Sequence, residues 1–117
     1  MDSNLKVIIY KSKDLIVGFD ISGHANFDDY GKDIVCAAVS ILAQTTISSI
    51  DRLSDLEDFE YKIDSGHTFI KIKPKNINGN AQLLLRSFEI GVMGIKQSYN
   101  NYINIIQQEV NLNDKRI

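Results

Sequence analysis

Apolar and polar residues alternate along the opening of the chain. In LKVIIY, residues 5–10, Leu5, Val7 and Ile9 share one face. In LIVGFDIS, residues 15–22, Leu15, Val17, Phe19 and Ile21 point one way, and Ile16, Gly18, Asp20 and Ser22 the other. A period of two marks strands, and the polar KSKD between them predicts a hairpin with one buried face. Gly23 stops the second strand. Residues 23–33 carry turn formers without a period and read as a loop. Asp33 then precedes IVCAAVSILAQTTISSIDRLSDL, in which Val35, Ala38, Val39, Leu42, Thr46, Ile50 and Leu53 recur at helical spacing. Aspartate is a strong N-cap residue, so the helix is expected to open at Asp33. Its first charge is Asp51, which predicts a helix buried on most sides.

The second half repeats the pattern. FEYKID, residues 59–64, alternates with Phe59, Tyr61 and Ile63 on one face; Ser65-Gly66 supplies a tight turn; TFIKIK returns with Ile70 and Ile72 opposite Lys71 and Lys73. Pro74 ends that strand. A second helix is expected from about Ala81 to Val110, with Leu84, Phe88, Val92, Ile95, Tyr99, Tyr102, Ile106 and Val110 as its stripe. Gly91 and Gly94 weaken it or admit a close neighbour. The order ββαββα predicts an α+β fold: a four-stranded sheet packed with two helices.

Composition narrows the function classes. A chain of 117 residues, 44% hydrophobic and 24% charged, reads as one globular domain over residues 1–117. The net charge of −2 leaves no basic excess, so no direct nucleic-acid partner is expected. A single cysteine excludes an internal disulfide and a cysteine-rich zinc site, and no spacing for a metal or other cofactor is visible. The start lacks a basic segment followed by an apolar one, and no uninterrupted apolar run reaches the ~18 residues of a membrane span. The expected compartment is the cytoplasm.

The candidate chemistry sits in SGHANFDDYGKDIVCAAVS, residues 22–40, with eleven residues between His24 and the lone Cys36. With Asp33 as cap, Cys36 falls in the first helical turn. There the unpaired N–H groups and the helix dipole favour a thiolate and can bind an oxyanion. His24 follows a strand end, and the loop can fold back to bring its imidazole to the sulfur, the minimum for acyl transfer. Each residue also has a plainer role. A free cysteine commonly packs as a small hydrophobe. Asp33 caps the helix or orients His24. Ser40, one turn beyond Cys36, bonds near the sulfur or to its own backbone. Gly23 ends a strand or admits a substrate backbone. His67 reads as an exposed hairpin residue.

These residues resemble a known family. Gly23-His24-Ala25 after a strand, Gly31, Asp33-Ile34-Val35-Cys36-Ala37 and Val39-Ser40 match the signature of the ribosomal-processing cysteine protease family (the Prp, or YsxB-like, family). Length, element order and Tyr99 to Ile103 at the end of the second helix agree with it. The resemblance implies a cysteine endopeptidase that removes the N-terminal extension of large-subunit ribosomal protein twenty-seven, after an aromatic pair and before a small residue. It implies Cys36 as nucleophile, His24 as general base, Asp33 as the acidic position, and Gly23 and Ser40 as supporting positions. It also implies a homodimer. Phe27 and Tyr30 then belong to a loop that orders over an extended peptide, giving specificity at modest affinity. A competing reading is a non-catalytic ribosome-associated module that grips a peptide or RNA, with Lys71, Lys73 and Lys75 as a small basic edge. A thiol redox sensor would need a resolving cysteine from another chain.

Overall fold

The computed structural model describes residues 5–23 and 30–111, the side chains of 30–33 excepted. The first hairpin forms as expected: β1 (Leu5–Ser12) pairs antiparallel with β2 (Leu15–Ser22). Helix α1 spans Tyr30–Leu53, then β3 (Glu60–Asp64) and β4 (His67–Lys71) form the second hairpin. Gly66 turns it with φ +82°. Helix α2 spans Gly79–Ser98, and β5 covers Ile103–Glu109.

The sheet therefore has five strands, not four, in the order β3-β4-β2-β1-β5. β5 lies parallel to β1, and its residues are the ones expected to continue the second helix. Tyr99, Tyr102 and Ile106 fit a helical stripe, but Ile103, Ile105 and Gln107 against Asn104, Ile106 and Gln108 fit a strand equally well. A run this short satisfies both periods. Pairing with β1 makes this run a strand, and local features stop the helix before it. Asn100-Asn101 favours a turn, and the Lys96 ammonium donates to the carbonyls of Asn100 at 3.3 Å and Ile103 at 2.7 Å, closing the helix.

Both helices pack on one face of the sheet. The core joins Leu5, Val7 and Ile9 of β1, Ile16, Phe19 and Ile21 of β2, and Ile70 of β4 to Val35, Val39, Ala43, Ile47 and Ile50 of α1 and Ala81, Leu85, Phe88 and Val92 of α2. Phe19 stacks on Phe88 with centroids 3.9 Å apart. α1 is buried on one side only. Ala37, Ala38, Ile41, Thr45 and Ser48 face out, which corrects the expectation of burial on most sides. By length and composition α1 is apolar enough to cross a membrane, but here it packs as a core helix. Gly91 lets α2 approach α1: a Cβ there would meet Leu42 Cδ2 at 2.6 Å, while Gly94 faces open space.

β2 departs from simple alternation. The register shifts so that Tyr10 pairs with Gly18 and Lys11 with Ile16, leaving Val17 as an extra residue. Ile16 joins Phe19 in the main core, and Val17 crosses to the helix-free face with Tyr10 and Val110. Leu15 and Val17 thus do not share the face of Phe19 and Ile21. Gly18 permits the bulge, since a Cβ there would sit 2.2 Å from the Ile70 carbonyl oxygen. Freed backbone groups find new partners. The Ile16 N–H donates to Gln82 Oε1 at 2.9 Å, Gln82 Nε2 donates to the Ile16 carbonyl at 2.8 Å, and the Ile72 N–H donates to the Val17 carbonyl at 2.8 Å. α2 is likewise tied to α1. Asn78 caps it by accepting from Ala81 at 2.8 Å and donates to the Ser54 carbonyl at 2.8 Å. Replacing Gln82 by Leu leaves two part-buried peptide groups unpaired. The expected loss is about 1–3 kcal/mol, read as a lower urea midpoint; an unchanged midpoint contradicts this account of the bulge.

Candidate active site

The bulged strand delivers the chain to the site. Ser22 pairs with His67, and the Gly23 N–H donates to the Gly66 carbonyl at 3.3 Å. Gly23 has φ +111°, a conformation side chains rarely adopt, so it does more than end a strand. His24 and Phe27 lie outside the described residues. Tyr30 and Asp33 are placed as positions on α1 only.

α1 begins at Tyr30, three residues before the expected start, so Asp33 lies inside the helix instead of capping it. Gly31, Lys32 and Asp33 cost a helix at most about 1 kcal/mol each, too little to stop it when a packed stripe follows. Cys36 consequently sits in the second turn, not the first. Its own N–H is within reach of an intrahelical carbonyl, and the dipole effect falls off within the first turn. Orphan N–H groups at the helix entrance do not serve this sulfur directly.

Cys36 is a half-buried free thiol. It shares a flank of α1 with Ser40 and Gln44, at i, i+4 and i+8. Buried Val35, Val39 and Ala43 face the sheet beside it, and Leu42 on the opposite flank meets Gly91 of α2. The Cys36 flank therefore turns away from α2. Gln44 Nε2 donates to the Ser40 hydroxyl oxygen at 2.9 Å. Thr46 and Ser54, by contrast, bond back to carbonyls four residues earlier. Among the described residues Gln44 is the partner of Ser40, which leaves the hydroxyl proton available along a flank that carries the thiol.

Comparison with known proteins places the whole arrangement in a family. The family model for cysteine protease Prp matches residues 5–104. This chain belongs to the Prp family of cysteine proteases. It is similar to the ribosomal processing cysteine protease Prp of Staphylococcus aureus (strain Mu50), at 34% identity over 86 residues, 73% of this chain and 80% of the relative. It is similar to the Bacillus subtilis (strain 168) protein of the same name, at 25% over 95 residues, 77% of this chain and 84% of the relative. Among solved structures, the Staphylococcus aureus ribosomal processing protease Prp with a substrate peptide superposes with TM-score 0.76 and 27% identity. That match covers 89% of this chain and 99% of the other.

Two features of this Prp family member escape a reading of its sequence. Gln44 is one. The other is a histidine–carboxylate hydrogen bond on the helix-free face: His67 Nε2 lies 3.1 and 3.2 Å from the two Asp20 carboxylate oxygens. With the carboxylate as acceptor, Nε2 carries the proton. The pair ties β2 to β4 three residues before Gly23. Asp20 and His67 are diagonal cross-strand neighbours, a relation legible only once the β2–β4 register is known. Burial, and secondarily the Asp20 charge, raise the Tyr10 phenol above the ordinary 10.0. The folded state therefore holds that proton more tightly than the unfolded one. This contribution to stability is complete below the unfolded value and lost as pH rises through the folded one. Tyr10→Phe is expected to lose less stability than the wild type as pH rises above the ordinary phenol value of 10.0, and Asp20→Asn to let Tyr10 ionise at lower pH. Equal alkaline losses in chemical denaturation contradict the assignment.

Proposed function

We propose that this chain is a processing endopeptidase whose substrate is the N-terminal extension of large-subunit ribosomal protein twenty-seven. The observation that carries the reading is the half-exposed Cys36 on the helix that follows Gly23-His24, in a chain matching the Prp family over residues 5–104. Its relatives bear the name of ribosomal processing proteases, which supports the substrate.

In this mechanism His24 takes the Cys36 proton, and the thiolate attacks the scissile carbonyl carbon. The tetrahedral intermediate collapses with cleavage of the C–N bond, and the imidazolium gives its proton to the leaving amine. Water, deprotonated by His24, then hydrolyses the thioester and restores the thiol. Asp33 orients His24. Ser40, loaded by Gln44, offers a donor beside the reacting atoms. Gly23 fixes the chain before the base, and Phe27 and Tyr30 contact the peptide around the cut. The reaction needs no cofactor.

Mass spectrometry of a synthetic precursor peptide tests this reading. The wild type is expected to cut it once, after the aromatic pair. Cys36→Ala is expected to abolish cleavage with the melting temperature nearly unchanged. His24→Ala is expected to slow it by about 10²–10⁴-fold. An active Cys36→Ala protein rules the mechanism out, and binding without cleavage by the wild type favours the non-catalytic module.

We further infer a cytoplasmic homodimer. The outward face of α1 supports it: no charged residue occurs between Ile34 and Ile50, and Ile41 stands 65% exposed. A second copy of this face would cover that area without burying a charge. Sedimentation is expected to give a dimer for the wild type and a monomer for Ile41→Lys; a monomeric wild type refutes it.

A further inference from the structure

β2 hands the chain on toward His24 across a joint that its backbone holds loosely. Ser22 is the last residue of β2 in register, paired with Lys6 of β1 and His67 of β4. Beyond it, among the described residues, comes one further rung. The Gly23 N–H donates to the Gly66 carbonyl at 3.3 Å, toward the long end of the hydrogen-bond range. Both residues of that rung are glycines at positive φ, +111° and +82°, the residue type with the fewest steric limits on its backbone. Such a joint sets direction weakly. Groups beside it must fix the angle at which the chain leaves the sheet.

Phe19 and Ile21 of β2 enter the core, so Asp20 and Ser22 stand on the helix-free face, and the register puts Phe69 and His67 of β4 beside them. The His67 ring leans back along β2 past its direct neighbour Ser22, and Nε2 reaches both Asp20 oxygens at 3.1 and 3.2 Å. Phe69 packs against that ring at 5.3 Å between centroids, and the Lys71 ammonium lies 4.7 Å over Phe69. The Asp20 side chain is 15% exposed against 40% for His67, so the carboxylate is a fixed acceptor more than a solvated one. His67 directly follows Gly66, and Asp20 lies three residues before Gly23. Their diagonal bond therefore crosses the β2–β4 seam next to the glycine rung and braces it.

We propose that Asp20 and His67 are positioning residues for the protease reaction: their hydrogen bond stiffens the Gly23–Gly66 joint and so sets where the following His24 can bring its imidazole. The proposal rests on the protease reading and adds to it two residues that never touch the thiol. The sheet stands between them and α1, which packs on its other face. The effect passes through the backbone of β2. Small displacements there have large consequences, since about 1 Å of misplacement of a catalytic group can cost about 10²-fold in rate. A purely stabilising role fits the pair poorly, because partly exposed charged pairs contribute little to global stability.

Cleavage kinetics and labelling of the thiol test the brace together. With the synthetic precursor peptide, His67→Ala and Asp20→Ala are each expected to lower kcat about tenfold and to move KM less than about twofold. Their melting temperatures are expected to stay within about 4 °C of the wild type. His67→Gln, whose amide nitrogen donates at about the reach of Nε2, is expected to recover kcat to within about threefold of the wild type. The double variant Asp20→Ala/His67→Ala is expected to be no slower than either single one, since all three lose the same bond. Cys36 is the chain's only thiol, so alkylation by iodoacetamide reads its ionisation alone. In His67→Ala the pH midpoint of alkylation is expected to rise toward the ordinary thiol value of about 8.5, because the imidazole is less well placed to hold the thiolate. An unchanged kcat in both alanine variants overturns the brace. So does a loss that His67→Gln fails to restore and that leaves the alkylation profile where it was. In both cases cleavage by the wild type leaves the protease reading standing. A wild type that cuts no peptide overturns the protease reading, and alkylation then judges the brace: a raised midpoint in His67→Ala supports it and an unmoved one overturns it.

Discussion

Residue 18 has no room for a side chain. The Ile70 carbonyl oxygen occupies the place of a Cβ, 2.2 Å from where one would be built, and most of the architecture follows from that approach. With Gly18 tight against β4, Val17 bulges out of β2 and the strand changes phase. Ile16, Phe19 and Ile21 can then all enter one core, and Val17 joins Tyr10 and Val110 on the far face. The bulge frees two peptide groups of Ile16, and Gln82 of α2 takes both. One missing Cβ therefore sets the register of β2 against β4, docks α2, and fixes the height at which the strand releases the chain at Gly23. The candidate base follows in the next residue.

Much of the fold was legible because it depends on local period and turn chemistry. Both hairpins, the Ser65-Gly66 turn and the two helices follow from alternation, helical spacing and glycine. What was not legible depends on competition between elements. Residues 103–109 satisfy a helical and a strand period together, and the choice is made by the open edge of β1, which lies about a hundred residues away in the chain. The phase change at Val17 has the same origin. Strict alternation is the sequence's own answer, and the contact of Gly18 with β4 overrides it. Asp33 looked like a cap because capping residues are recognisable singly. Whether the helix stops there depends on how well the preceding turn is held, which no single residue reports.

The candidate site divides along the same line. Cys36, His24, Gly23 and Ser40 were legible as a motif, since their spacing carries the resemblance. Gln44 and the Asp20–His67 pair were not. Gln44 reads as one more polar residue on a helix until its amide is seen on the Ser40 oxygen. Asp20 and His67 are 47 residues apart and meet only through strand register. Strand β3 is a third kind of case. Phe59, Tyr61 and Ile63 have the alternation of a buried face, yet all five residues of β3 are exposed, and nothing local says that the helices stop short of it.

The early start of α1 changes where the reactivity of the thiol must come from. A sulfur in the first turn would be held as a thiolate by unpaired backbone N–H groups and the helix dipole, with the imidazole only assisting. In the second turn those groups are one turn away, and the dipole contribution has largely decayed. The proposed mechanism then places the burden on the His24 imidazole and on polar groups along the flank, of which the Ser40 hydroxyl, oriented by Gln44, is the nearest in sequence. In that proposal the thiol has its reactivity tied to the base and to the bound peptide. That division suits an enzyme acting on one defined extension: a half-exposed cysteine that is a strong nucleophile on its own would react with any electrophile, whereas one dependent on a partner is selective by construction.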